Sequence, residues 1–345
     1  MRRSFLAVSL GLSLLASAAL SRDGQAASAV LALPDLTSFV LMRTPAGAAP
    51  VAVSVDQAAD ALKDYDVIFL GEWHDHAGNH LAEMALFRAL QARTPNLALS
   101  MEMFERDVQP VVDDYMAGRI GEDALRSRGR AWGNYAESYR PLVEFAKDHG
   151  LPVIAANAPA SVVRCVGLEG PEYLARMPAD KRNWAAAELH LDDGPYKDKF
   201  LRFLAEDGAH GEDANRTEAQ KKEAADRSFA SQVTRDDTMA ESILLFRQTN
   251  PARKIVHLTG AFHAEGGLGT VERLRMRAPA LKIAVVVPVE AEDPQRPSVA
   301  ADDAKGANFA FLLKAPPKEY VNDAEKQAAE AGMRANFRSA SRCTL

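Results

Sequence analysis

Two short segments of this chain share one design. Val67-Ile68-Phe69-Leu70 runs into Gly71-Glu72-Trp73-His74, and Lys254-Ile255-Val256-His257-Leu258-Thr259 runs into Gly260-Ala261-Phe262-His263. Each reads as a buried strand that stops at a glycine and presents a histidine three residues later. Glycine lets the backbone leave a strand abruptly. Both imidazoles are therefore expected just past strand carboxyl ends, the rim where open parallel sheets bind ligands. Glu72 and His74 lie two apart, so an extended backbone aims both the same way. Glu102 ends a further apolar run, Leu97 to Phe104, where a carboxylate is costly unless it is paired or bound to a cation. Glu72, His74, Glu102 and His263 thus converge on one crevice from three strand ends. Imidazole with carboxylate suits a divalent metal, or acid–base work on a bound group.

The other histidines carry weaker signals. His76 and His80 follow at helical spacing on the helix that the first turn opens, and His257 sits inside its strand as a buried, hydrogen-bonded residue. His149 precedes a turn glycine and suits a helix C-terminus. His190 and His210 show no partner spacing. Asn157, ending another apolar run, adds a neutral polar group to the rim. Gly266-Gly267 after His263 can open a helix amino terminus that favours an anion. The His74-Asp75-His76 triplet does not make a metallo-β-lactamase pattern, because Gly78 stands where that pattern needs aspartate. No phosphate-cradling glycine loop, nucleophile elbow or zincin motif is present.

The elements that must position these residues are short β-rich runs alternating with helical periods. Strands are expected at Asp66 to Leu70, Leu97 to Met101, Pro152 to Ala156, Lys254 to Thr259 and Leu281 to Val287, with Phe309 to Leu313 as an edge strand. Leu81, Met84, Ala85 and Leu90 mark one helix face, and Leu142, Phe145 and Ala146 another. Near-continuous apolar strands between amphipathic helices imply an α/β fold with a mostly parallel sheet flanked by helices on both faces. The alternation breaks between about Ala158 and Asn250, where charges and scattered aromatics read as a smaller inserted helical domain. Asp207 to Asp226 within it reads as a loop and a solvated helix. The expected organisation is residues 30–157 and 251–314 as the sheet domain, 158–250 as the insert, and 315–345 as a tail.

Residues 1–29 carry Arg2 and Arg3, an apolar run from Phe5 to Leu20, and small residues at Ala27-Ser28-Ala29. That is the pattern of a secretory signal peptide, and the run is short for a membrane span. The chain is expected to be soluble after cleavage, in the periplasm or secreted. No cysteine lies near the cleavage region, which excludes a cysteine-anchored lipoprotein. Losing Arg2, Arg3, Arg22 and Asp23 would move the net charge from −6 to −8. An acidic balance of that kind argues against nucleic acid as a partner. Cys165 and Cys343 are the two cysteines, and their spacing leaves open whether they pair.

Beyond these readings, the motifs resemble a known family. Gly71-Glu72-Trp73-His74-Asp75 with His80, and Glu102-Met103-Phe104-Glu105-Arg106-Asp107-Val108-Gln109-Pro110, are similar to ChaN-like haem-binding uptake proteins of the Tiki superfamily. So are Tyr139-Arg140-Pro141-Leu142, Ala155-Ala156-Asn157, Asp236-Asp237-Thr238-Met239-Ala240 and Gly260 with His263. The resemblance implies haem as cofactor, a role in haem or iron acquisition alongside a transport system, and a homodimer enclosing the haem. It also implies a tyrosine ligand to iron, for which Tyr139 and Tyr135 are the candidates, with His74 and His263 lining the same cofactor site. Tyrosinate is a hard anionic donor suited to ferric haem. The Tiki branch instead implies a metal-dependent hydrolase with His74, His263 and Glu102 as the metal residues and Glu72 or Glu102 as the catalytic base.

Overall fold

The computed structural model describes residues 31–206, 217–300, 302–322, 324–329 and 343. The expected signal peptide, His210 and much of the tail lie outside the described residues. Eight strands form one sheet: β1 Phe39–Arg43, β2 Val51–Val53, β3 Val67–Glu72, β4 Leu97–Glu105, β5 Val153–Asn157, β6 Lys254–Gly260, β7 Ile283–Glu290 and β8 Phe309–Leu313. Their order is β2-β1-β8-β7-β3-β6-β4-β5, parallel from β8 to β5, with β1 and β2 antiparallel at one end.

The strands are apolar on both faces, and their side chains divide by the two-residue period. Ile68 and Leu70 of β3, Val256 and Leu258 of β6, and Ala284 and Val286 of β7 enter one core. Helices Val55–Leu62, Ala77–Arg93, Gln109–Met116 and Arg140–Asp148 cover that face. Val67 and Phe69, Ile255, and Ile283 and Val285 enter the other core, under helices Glu218–Thr249 and Thr270–Arg277. The fold is thus α/β with a mostly parallel sheet covered on both sides, as the alternation requires. Within residues 158–250 the described elements are helical, and Glu218–Thr249 runs along β5 and the helix Thr270–Arg277.

Several local expectations are corrected. Phe309–Leu313 is no edge strand: it lies inside the sheet, because β1 pairs with it antiparallel along its whole length. β1 and β2 are five and three residues long, too short to stand out from the sequence around them. The buried face of helix Ala77–Arg93 is not the Leu81 face: Leu81 is 49% exposed, whereas Asn79, Ala82, Glu83, Leu86, Phe87 and Leu90 are buried. A glutamate and an asparagine on the inner stripe hid its periodicity. β3 also continues through Gly71 to Glu72. The open edge strand β5 is partly satisfied by Gln109, whose side chain accepts from Ala155 N–H and donates to the Val153 carbonyl. Among the described residues no helix is long and apolar enough to cross a membrane.

Candidate functional site

β3, β6 and β4 are neighbours, so their carboxyl ends meet, and the chain brings Glu72, His74, Glu102 and His263 together there. Glu72 is the last residue of β3 and is buried. Its Oε1 accepts from His74 Nδ1 at 2.6 Å and from the Tyr139 hydroxyl at 2.6 Å. Glu102 lies where the β4–β6 ladder has ended at Met101 and Leu258. In place of a strand partner, its Oε2 accepts from Gly260 N–H and the Thr259 hydroxyl, each at 2.7 Å. The other oxygen, Oε1, lies 3.5 Å from His263 Nε2.

His263 is fixed from behind. Its Nδ1 donates to Asp236 Oδ1 at 2.7 Å, and Asp236 also accepts from Tyr196 at 2.6 Å and from Thr270 at 2.8 Å. The site therefore holds two carboxylate-buttressed histidines with an ionised carboxylate near both. Such buttressing fixes the ring and its tautomer. Burial opposes charge on His74, yet Glu72 and Glu102 outweigh it and raise its pKa. Burial likewise opposes charge on His263, and Glu102 with Asp236 reverses the effect. Glu102 answers in kind: despite burial, His263, His74 and the Gly260 and Thr259 donors hold it at about 2.

The glycines work differently from the expectation. Neither Gly71 nor Gly260 has a positive φ. At Gly260 the need is space, since a Cβ would sit 2.8 Å from His74 Nε2. Gly260→Ala should push the imidazole off its Glu72 contact at a cost of about 1–3 kcal/mol. Melting temperature and the His74 ring nitrogen shifts check this, and unchanged ring shifts would contradict it. Gly266 and Gly267 do adopt positive φ, and they lead into the helix Thr270–Arg277 through its N-cap, Gly269.

The remaining residues fall into place around this centre. Tyr139 and Tyr135 are both fully buried: one hydroxyl is engaged by Glu72, and the other has no hydrogen-bond partner. Burial pushes both phenols upward, with Glu72 adding to the effect at Tyr139. As placed, neither phenol faces the crevice. His257 is buried against Ser100 and held down at about 3 by burial, and His149 caps its helix against Phe145. His190 has a partner after all, Asp237. Asn157 turns to Ala158 N–H. Cys165 and Cys343 are free thiols, with Cys343 packed against the cluster that contains Cys165.

Three groups went unread in the sequence. Asp236 was visible only as part of a motif, because a single buried aspartate on a long charged helix carries no periodic sign. Glu83, on the inner stripe of helix Ala77–Arg93, contacts His80 Nδ1 at 3.0 Å. Burial and the nearby Glu72 raise Glu83, whereas His80 is lifted to about 9 although burial opposes this, through Glu83 and Glu72. Finally, Phe200, Phe203 and Phe262 come from distant segments to line the crevice with Trp73, giving a hollow of about 460 Å³. A roomier hollow of about 760 Å³ lies beside residues 43–50 and 304–309, but no histidine, cysteine or carboxylate lines it.

The pKa directions set a pH profile for chelator-treated protein. Glu102 titrates at about 2 when folded, against 4.5 ordinarily, so its stabilisation is complete above pH 4.5 and is lost as pH falls toward 2. His80 titrates at about 9 against 6.5, so its stabilisation is complete below pH 6.5 and fades as pH rises toward 9. Melting temperature should therefore plateau between these limits and fall on both sides. Glu102→Gln should flatten the acid limb selectively, and an unaltered acid limb would contradict the assignment.

The molecule is an α/β protein whose mostly parallel sheet carries an imidazole–carboxylate crevice at its strand carboxyl ends. Residues 58–274 match the family described as haem-binding uptake, Tiki superfamily, ChaN, and the chain belongs to that family. Among solved structures, ChaN of Campylobacter jejuni, described for cofacial haem binding, superposes with a TM-score of 0.61 at 17% identity, covering 80% of this chain and 97% of that one. That likeness shows the fold. An erythromycin esterase mutant in its open conformation gives a TM-score of 0.43 at 13% identity, over 80% and 82% of the two chains, too low to bear on function. The chloroplastic protein RETICULATA-RELATED 5 of Arabidopsis thaliana is 28% identical over 130 residues, which is 35% of this chain and 18% of that protein.

Proposed function

We propose that this protein binds haem in the crevice at the ends of β3, β6 and β4 and serves haem or iron acquisition outside the cytoplasm. The observation that carries the reading is His74, whose side chain is 39% exposed at the crevice while Glu72 holds its Nδ1. An imidazole anchored in this way is oriented and made a better metal donor. Trp73, Phe203 and Phe262 suit a flat apolar macrocycle, and Lys199, paired with Glu265 at 3.0 Å beside the Phe262 ring, would have to exchange that partner to meet a propionate. The iron-facing role goes to His74 rather than to the buried Tyr139 or Tyr135. Phe203 is 44% exposed at this mouth, which favours closure of the site by a second copy of the chain. Haemin titration should give a saturable Soret shift accompanied by a rise in mass to that of a dimer. No shift would remove the function.

A second reading is a metal-dependent hydrolase, favoured by the two buttressed histidines beside Glu102. Glu102, with Oε2 fixed by Gly260 and Thr259 and Oε1 lying 3.5 Å from His263 Nε2, would join His74 and His263 in holding the metal. Glu72, committed to His74 and Tyr139, would position rather than accept protons. A hydrolytic activity and a stoichiometric ion, both lost in His263→Ala, would favour this reading over haem binding.

A further inference from the structure

We propose that a divalent transition-metal ion of the zinc or manganese class occupies a second, buried site formed by Glu72, His80 and Glu83. One donor atom from each of these three residues lies within 4.8 Å of the others, and all three side chains are buried. They come from the end of β3 and from one face of the helix Ala77–Arg93, so rigid elements hold them.

The outward atoms of the trio are already satisfied. Glu72 Oε1 accepts from His74 and Tyr139, Glu83 Oε1 accepts from Asn79 Nδ2 at 2.7 Å, and His80 Nε2–H donates to the His74 carbonyl at 2.8 Å. With Nε2 carrying that proton, the neutral ring of His80 turns the Nδ1 lone pair inward, toward Glu83 Oε2 at 3.0 Å and Glu72 Oε2 at 3.8 Å. Glu72 Oε2 is fully buried and has no hydrogen-bond partner among the described residues. Once its protons leave, the cluster presents three acceptors to one another, and among the described residues both carboxylates pair with histidines rather than with lysine or arginine.

A proton on His80 Nδ1 would satisfy Glu83, and one on Glu83 would reach Glu72, but each answers a single contact of the three. A divalent ion answers all three atoms and balances two negative charges. A tetrahedron with metal–donor bonds of ~2 Å has an edge of about 3.3 Å, between the two spacings observed. The outer hydrogen bonds are those that ordinarily fix metal ligands. The ion would also brace His74, because Glu72 would hold the metal with one oxygen and the imidazole with the other.

The test uses the full chain, stripped with chelator and titrated with zinc alone, without haemin. Calorimetry and elemental analysis should find a tightly held equivalent that survives His263→Ala and Glu102→Gln but is lost in Glu83→Gln. Zinc should raise the melting temperature of the wild type by several degrees and leave Glu83→Gln unmoved. Anomalous scattering at the zinc edge from wild-type crystals locates the ion without any variant. A peak between Glu72, His80 and Glu83 supports the site. A peak confined to His74 and His263, no peak, or zinc retained in Glu83→Gln overturns it. None of these results depends on whether haemin binds.

Discussion

Replacing Asp236 with alanine should cost about 3–5 kcal/mol of folding stability, the usual penalty for removing one member of a buried ionic network. Domains of ordinary stability have only about 5–15 kcal/mol to lose. Asp236 is fully buried and accepts from His263, Tyr196 and Thr270 together. Its removal leaves three buried donors without partners and frees the His263 ring. Asp236 is itself held below the ordinary carboxylate range although burial opposes this, chiefly by His263 and Arg273. Guanidinium unfolding of Asp236→Ala, with Asp236→Asn as the shape-preserving comparison, measures the effect. A loss under about 1 kcal/mol would mean that the neighbours repair the gap and that Asp236 does not organise this side of the crevice.

The second large effect concerns the ligand. His74→Ala should weaken haemin binding by about 10- to 100-fold, the range expected when an oriented metal donor and its hydrogen-bonded support are disrupted. Tyr139→Phe should behave otherwise. It removes one of two donors to Glu72 Oε1, so it should cost about 1 kcal/mol of stability while the haem spectrum keeps its form. Titration followed in the Soret band separates the two variants. A spectrum altered in Tyr139→Phe but not in His74→Ala would return the iron-facing role to the tyrosine.

The parts of this molecule that were legible in the sequence are those in which one residue type implies one environment. Unbroken apolar runs such as Ile255-Val256 declared a doubly covered sheet, and the histidines after Gly71 and Gly260 declared its carboxyl rim. What stayed hidden depended on partners far away in the chain. Asp236 meets His263 only because the helix Glu218–Thr249 returns across the sheet. Glu83 looked like a surface residue and so displaced the reading of its helix by a face; its buried position makes sense only beside His80 and Glu72. The antiparallel strands β1 and β2 are short and lie far from it in the chain, so Phe309–Leu313 was assigned to an edge that they in fact cover. The tyrosines show the converse limit. A motif carried Tyr139 into the region of the site, whereas its hydroxyl serves the carboxylate beneath the crevice.

The most direct test of the haem reading is pulsed electron paramagnetic resonance on the ferric haem complex of protein labelled with nitrogen-15 at histidine. The account requires imidazole nitrogen coupling to the iron in the wild type and in Tyr139→Phe, and its disappearance in His74→Ala. Absence of that coupling in the wild type, or its survival in His74→Ala, would contradict the placement of haem at His74.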